Sequence, residues 1–176
     1  MYQDDKDLLN LFKEPSSKEK AFTLIVKKYQ EKLYWHIRRL VVTHDDANDV
    51  LQNMFIKVWK GLQNFREDSQ LYTWLYRIAT NESLSFLDAQ KRKSTTSLTD
   101  VESDLSNKIK ADGNFDPNRL EWKLQLAIQR LPEKQRAVFN LRYYDEMPYE
   151  QMSKILETSE GALKASYHHA AKKIED

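Results

Sequence analysis

Apolar residues recur at steps of three and four along most of this chain, which is the spacing of one face of an α-helix. In residues 47–62 the pattern is formed by Ala47, Val50, Leu51, Met54, Phe55, Val58 and Leu62. In residues 71–86 it is formed by Leu71, Trp74, Leu75, Ile78 and Phe86. The residues between Gly61 and Gln70 predict a short loop, so this part of the chain is expected to form two helices that pack through their apolar faces.

The first of these helices has a negative start and a polar outer face. Asp45 and Asp46 lie where an N-cap and an acidic first turn would complement the helix dipole. The face opposite the apolar residues carries Asp49, Gln52, Asn53 and Lys57. This face is compatible either with solvated surface or with a docking edge for a partner.

The second helix carries more aromatic residues beside its apolar stripe than a core requires. Tyr72, Tyr76 and Thr80 are predicted to lie off the stripe, on its polar flanks, while Trp74, Arg77 and Asn81 follow one edge at steps of three and four. Rings that stack, a cation and an amide are typical of a surface that holds unstacked single-stranded bases. From these residues alone, an ordinary amphipathic helix explains the pattern equally well.

The remaining segments predict an all-α protein of two small helical domains. Residues 4–13 and 17–40 predict a short helix and a long scaffold helix, which complete an N-terminal bundle at residues 1–93. Residues 94–115 are mostly polar and predict a flexible linker. Residues 116–176 form the second domain, with two amphipathic helices on either side of Pro132.

The end of the chain has the pattern of a helix-turn-helix. Residues 149–156 and 159–174 predict two helices joined by a turn at Glu157 and Thr158, and the second helix of such a motif normally enters the major groove. Ser159 is a good N-cap. The residues that can contact bases or phosphates are Lys164, Ser166, His168, His169, Lys172 and Lys173. A charged surface helix in a protein-binding module is the alternative.

Composition narrows the classes of function. The chain has 176 residues, a net charge of +1 and no cysteine, so tight autonomous DNA binding is disfavoured and disulfides are excluded. No P-loop, dinucleotide loop, HExxH motif or activated nucleophile is present, and no enzyme activity or cofactor is expected. His36 and His44 lack ligand partners at helical spacing, which favours surface or partly buried structural histidines over a metal site. No apolar run approaches a membrane span, and the first residues are unlike a signal peptide.

Two long blocks of the chain are similar to one protein family. The first block resembles the second conserved region of bacterial sigma factors of the extracytoplasmic-function (ECF) group, and it reads DANDVLQNMFIKVWKGLQNFREDSQLYTWLYRIATNESLSFL. The family's fourth region resembles LPEKQRAVFNLRYYDEMPYEQMSKILETSEGALKASYHHAAKKI. The resemblance implies a non-enzymatic subunit that binds core RNA polymerase, recognises the minus-10 and minus-35 promoter elements and promotes DNA melting.

The resemblance also implies roles for individual residues. It assigns polymerase binding to Asp49, Gln52, Asn53 and Phe55; single-stranded minus-10 binding to Phe65, Arg66, Trp74, Arg77 and Asn81; and duplex minus-35 binding to Ser159, Lys164, Ser166, His168, His169 and Lys172. The resemblance further implies an anti-sigma partner, which is often membrane-tethered. It also implies a cytoplasmic protein that is held at the inner membrane when this partner is tethered there.

The chain departs from the family pattern at several positions. Glu157 occupies a turn position that related motifs commonly give to glycine, and Thr80 and Asp88 replace residues that are often basic. Many relatives are richer in arginine at the positions of Ser166, His169 and Ala171. The alternative function is an independent helix-turn-helix regulator that uses residues 116–176 on DNA and the N-terminal domain for dimerisation or ligand sensing.

Overall fold

The computed structural model describes residues 4–66, 70–93 and 120–175, and within these ranges it contains helices and no strand. The eight α-helices of the described ranges are α1 Asp5–Lys13, α2 Lys18–Val41, α3 His44–Gly61, α4 Leu71–Lys93, α5 Leu120–Gln129, α6 Glu133–Tyr143, α7 Tyr149–Leu156 and α8 Glu160–Glu175. A 3₁₀ turn at Leu62–Asn64 follows α3. The all-α prediction is confirmed, while the predicted linker at residues 94–115 lies outside the described residues.

Helix α2 is the scaffold of the N-terminal bundle, because α1, α3 and α4 all pack against it. Its buried apolar residues follow the helical period and include Ala21, Ile25, Leu33, Ile37 and Leu40. Helix α1 is attached by the Asp5 carboxylate, which accepts hydrogen bonds from Lys28 Nζ at 2.6 Å and the Tyr29 hydroxyl at 2.5 Å. Desolvation by burial, followed by the bond to Asp5, raises the pKa of Tyr29.

A tight turn connects α2 to α3, and the N-cap of α3 lies at Thr43 rather than at the predicted acidic residues. Val42 has φ 84° and ψ −55°, and the Thr43 N–H donates to the Val41 carbonyl at 3.1 Å, which defines a γ-turn. Thr43 is then extended, and its hydroxyl accepts from the Asp46 N–H at 3.2 Å. The predicted acidic N-cap is therefore wrong, because Thr43 caps α3. The predicted acidic first turn is confirmed, since Asp45 and Asp46 lie in it.

Helix α4 buries a wider face than its sequence predicts, because the predicted stripe residues Leu71 and Leu75 are buried and residues beside the stripe are buried with them. Tyr76 and Thr80, expected on the polar flank, are 1% and 0% exposed, whereas Trp74 and Ile78 are only half-buried. The reason is that α2, α6 and α7 all contact α4, so its buried surface is wider than one helix partner would make it. Thr80, where the resemblance leads one to expect a basic residue, is therefore not exposed to solvent in this conformation.

The C-terminal helices contain the predicted helix-turn-helix and pack directly on the N-terminal bundle. Ile128, Leu131, Phe139 and Ala170 form a small core among α5, α6 and α8. Helix α7 lies against α4 and α6 against α2, and one apolar cluster continues from the bundle into α6, α7 and α8. The turn between α7 and α8 places Glu157 at φ 51°, the left-handed conformation that favours glycine.

Candidate nucleic-acid interface

The outer face of α3 presents three of the four residues that the resemblance assigns to polymerase binding. Asp49, Gln52 and Asn53 are exposed and lie on one face at steps of three and four. Ile56 extends this face by one turn and is 53% exposed, and the sequence pattern did not single it out. The feature of the sequence that could have located Ile56 is that it is an isolated apolar residue outside the buried apolar stripe of α3.

Phe55 lies apart from these residues, in the core of the bundle. Its side chain is 9% exposed, and its ring packs edge-on against Phe22 with ring centroids 6.3 Å apart. Since α3 turns Phe55 toward α2, this ring is structural in the free chain.

Two of the residues assigned to melted DNA form an aromatic pair. The Phe65 and Trp74 rings lie 4.9 Å apart at 49°, after the end of α3 and at the start of α4. Gly61 makes room for the indole, because a Cβ at this position would lie 3.0 Å from Trp74 Cζ2. Arg66 is exposed next to Phe65.

Arg77 and Asn81 continue from Trp74 along the same edge of α4. Asn81 is exposed, and Arg77 is half-exposed. The four residues Phe65, Trp74, Arg77 and Asn81 are called the strand-capture edge below. Arg77 already has a partner in this conformation, since its Nε and Nη2 donate to the Lys154 carbonyl of α7 at 3.0 and 2.6 Å.

Helix α8 has one exposed line of polar residues. Lys164, His168 and Lys172 lie at steps of four, and His169 borders them. The predicted cap is confirmed, because the Ser159 hydroxyl accepts from the Ala162 N–H at 3.2 Å. Ser166 is half-buried on the flank of the helix that packs inward, so the structure separates it from this line.

His36 is fully buried, contrary to the expected surface or partly buried position. Its Nε2 is 2.8 Å from the Thr80 hydroxyl, and its Nδ1 lies 3.8 Å from the Asp145 carboxylate. Burial, with a smaller effect of Arg39, lowers the pKa of His36 to about 3, so the ring is neutral at physiological pH. Burial raises the pKa of Asp145 to about 6, although Arg39 opposes this change. Among the described residues no group of histidines and carboxylates could hold a metal ion.

Comparison with known proteins identifies the same two blocks as the sequence pattern. The family model for sigma-70 region 2 matches residues 25–93, and that for sigma-70 region 4 matches residues 121–174. The chain is 34% identical over 167 residues to the RNA polymerase sigma-H factor of Pseudomonas aeruginosa, covering 89% of this chain and 86% of the relative. It is 33% identical over 168 residues to the ECF RNA polymerase sigma-E factor of Escherichia coli, covering 90% and 86%.

The chain belongs to the ECF sigma factors. This sigma factor therefore binds core RNA polymerase and promoter DNA and acts in transcription initiation, in a family of non-enzymatic factors. An independent regulator is not favoured, because the relatives match across both the α2–α4 and the α5–α8 parts of the chain. Helices that meet the length and apolarity of a membrane span are absent from the described ranges.

Solved structures share the fold of this sigma factor. CnrH in complex with the cytosolic domain of CnrY matches with a TM-score of 0.65 at 20% identity, covering 97% of this chain and 96% of CnrH. The sigma factor RpoE in complex with the anti-sigma factor NepR from Bartonella quintana matches with a TM-score of 0.67 at 22% identity, covering 89% and 95%.

Proposed function

We propose that this sigma factor uses three separate surfaces, and that the outer face of α3 is the one that docks on polymerase. Asp49, Gln52 and Asn53 provide charge and hydrogen bonds, while Ile56 provides an apolar contact that is already exposed to solvent. An exposed apolar residue with a polar rim is the usual composition of a protein interface. Phe55 supports this face from within the core rather than contacting the partner.

The strand-capture edge is proposed to hold the melted minus-10 element. Stacking of a base on an aromatic side chain contributes about 1–3 kcal/mol, which is comparable with the few kcal/mol needed to unstack and flip a base. Trp74 and Phe65 supply the rings, Arg66 and Arg77 the cations, and Asn81 the amide. A captured strand shifts the melting equilibrium of DNA without covalent chemistry.

The exposed line of α8 is proposed to read the duplex minus-35 element. Lys164 lies in the N-terminal half of the helix, the part that reaches base edges in docked helix-turn-helix motifs, and His168 lies at its middle, while Lys172 lies nearer the C-terminus and suits a phosphate. Ser159 stabilises the start of this helix, and His169 lies at the border of the line. Ser166 acts through packing on the inward flank, since it lies apart from the line.

Regulation and location follow from this role. We propose domains at residues 1–93 and 116–176 joined by a linker at 94–115, which raises the effective concentration of the second DNA contact once the first has formed. The solved RpoE–NepR and CnrH–CnrY complexes support a protein antagonist of the anti-sigma class for this chain. The chain is proposed to work in the cytoplasm, and to be held at the inner membrane when its antagonist is tethered there.

The observation that carries the minus-10 proposal is the Phe65–Trp74 ring pair continued by Arg77 and Asn81 on one edge. The test is transcription and permanganate reactivity of thymines with purified core polymerase and a promoter library. Trp74→Ala and Asn81→Ala are expected to reduce opening at least tenfold while polymerase association is kept. Trp35→Ala, an exposed tryptophan on α2, and Asp88→Ala, an exposed residue of α4, are matched controls that should open DNA normally. Loss of polymerase association in Trp74→Ala would instead assign a structural role to the indole.

The minus-35 proposal has a separate test. Lys164→Ala is expected to weaken dependence on the minus-35 sequence and to leave activity on a pre-melted template unchanged. Glu175→Ala, at the exposed end of α8, serves as a control on the same helix. An unchanged response to minus-35 substitutions would remove Lys164 from the recognition surface.

A further inference from the structure

The hydrogen bonds of Thr80 determine which nitrogen of the buried His36 ring carries the hydrogen. The Thr80 hydroxyl has a single hydrogen, which it donates to the Tyr76 carbonyl at 2.7 Å. His36 Nε2 lies 2.8 Å from the same hydroxyl, so the hydrogen-bond network assigns it as the donor. The ring is neutral, because burial lowers the pKa of His36 to about 3, and a neutral imidazole has only one N–H. His36 Nδ1 is therefore an acceptor.

This acceptor faces a second acceptor, the carboxylate of Asp145 in the connection between α6 and α7. Asp145 Oδ2 lies 3.8 Å from His36 Nδ1, and neither atom has a hydrogen-bond partner among the described residues. The two side chains are 13% and 0% exposed, so neither atom is freely hydrated. Two buried lone pairs that face each other are unfavourable unless a hydrogen lies between them. A proton on Oδ2 turns it into a donor and gives both atoms a partner once they approach to hydrogen-bond distance.

We propose that His36 and Asp145 form a binding site for one proton, which exists while α6 and α7 pack against α2 and α4 and is lost when these helices separate. Packing then takes up a proton from solvent. The packed arrangement is stabilised as the pH falls and released as the pH rises, so the arrangement of the helices responds to the pH of the surroundings.

The groups around Asp145 act on this proton in both directions. Burial raises the pKa of Asp145 to about 6, while Arg39, a hydrogen bond from Tyr76 and Lys32 oppose the rise. Arg39 Nη1 lies 3.6 Å from Asp145 Oδ1. Burial also raises the pKa of Tyr76, so that this hydroxyl stays neutral. The titratable and charged groups that face Asp145 are Lys32, His36 and Arg39 on α2, and Tyr72 and Tyr76 on α4.

The pKa values of Asp145 in the two arrangements set the size of the pH dependence. Separation hydrates the carboxyl group, and its pKa then returns from about 6 to the ordinary value of 3.8. The contribution of the proton to packing is complete below pH 3.8 and is lost as the pH rises through 6. Each pH unit between these values changes the equilibrium constant for separation about tenfold, and little change follows above pH 6. The constant is therefore expected to rise about tenfold from pH 5 to pH 7.5.

Nitrogen NMR of the His36 ring tests the proton site directly. The other three histidines of the chain are exposed, and the His36 resonances are identified by their loss in His36→Gln. The ring is expected to keep its hydrogen on Nε2 between pH 5 and pH 8. The Nδ1 chemical shift is expected to change with a midpoint near pH 6, and this midpoint should disappear in Asp145→Asn. A hydrogen on Nδ1, or a constant Nδ1 shift over this range, would overturn the proposal.

Separation of the helices is measured by the reactivity of a single introduced cysteine. The chain has no cysteine, and Gln129→Cys places a thiol where a 7% exposed side chain donates to the Arg39 carbonyl of α2. Its labelling rate with dithiodipyridine follows the separated fraction. Dividing this rate by the rate in a chain that also carries Asp145→Asn cancels the pH dependence of the thiol, and the ratio is expected to rise about tenfold from pH 5 to pH 7.5. Glu150→Gln, which neutralises an exposed carboxylate of α7, is the matched control and should leave the pH dependence as in the parent.

The remaining outcomes separate the pair from its alternatives. A ratio that stays constant with pH would refute proton uptake on packing. Equal labelling of a cysteine at Ala47, in the core of the bundle, would mean that the thiol is exposed by unfolding rather than by separation, and would also overturn the proposal. His36→Phe removes the acceptor and is expected to reduce the tenfold change to less than threefold, whereas an unchanged tenfold response in a folded chain would assign the effect to Asp145 alone and refute the pair. Should His36→Phe fail to fold by circular dichroism, Thr80→Val replaces it, because loss of the hydroxyl lets Nδ1 carry the hydrogen and donate to the carboxylate.

Discussion

Replacement of Asp145 by asparagine should stabilise the chain at neutral pH and have little effect in acid. Burial raises the pKa of this carboxyl group from 3.8 to about 6, so the folded state favours its neutral form. A group of this kind contributes stability that is complete below pH 3.8 and is lost as the pH rises through 6. Asparagine resembles the neutral form at every pH.

The size of the effect follows from the two pKa values. A difference of about two pH units, at about 1.4 kcal/mol each, gives about 3 kcal/mol as the upper limit of the gain. The free energy of unfolding of Asp145→Asn minus that of the parent should thus rise from about 0.5 kcal/mol at pH 4 to between about 1 and 3 kcal/mol at pH 7. Urea denaturation followed by circular dichroism at half-unit pH steps measures this difference.

His36 provides the internal control because its pKa is changed in the opposite direction. Its neutral form is favoured by the fold, so its contribution to stability is complete above pH 6.5 and is lost as the pH falls toward 3. His36→Gln should therefore gain stability relative to the parent as the pH is lowered. If Asp145→Asn became less stable than the parent between pH 4 and 7, the ion pair with Arg39 would outweigh desolvation and the reasoning would be refuted.

Three further substitutions test local geometry. Glu157→Gly removes a left-handed non-glycine residue and should raise stability by up to about 1 kcal/mol, seen as a higher Tm, whereas no change would mean that the turn is unstrained. Thr43→Ala removes the α3 cap and should cost about 1 kcal/mol in urea denaturation, while an unaffected midpoint would contradict the cap assignment. Gly61→Ala should displace the Trp74 indole by a few tenths of an ångström and lower promoter opening, measured by permanganate, more than polymerase binding; equal loss of both would indicate a folding defect.

The predicted surfaces differ in how well sequence alone located them. The α8 line and its Ser159 cap were found because one helix presents them on one exposed face, and the step of four residues is visible in the chain. Phe55 and Ser166 were assigned by resemblance, yet each lies toward a core, since neighbouring residues on a helix point in directions about 100° apart. Ile56 was missed because a single exposed apolar residue does not form a pattern.

Sequence alone determined the order of the helices, the positions of their ends to within a few residues, and membership of the sigma-70 family. Each of these depends on local spacing or on long matching blocks. The packing of α6 and α7 against α2 and α4 was decided by tertiary structure alone. Hydrophobic periodicity shows that a helix has a buried face, but it does not show how many partners share that face. Tyr76, Thr80 and His36 are buried because α4 and α2 meet one another and also helices more than 50 residues further along the chain, and Arg77 is occupied by a carbonyl 77 residues away.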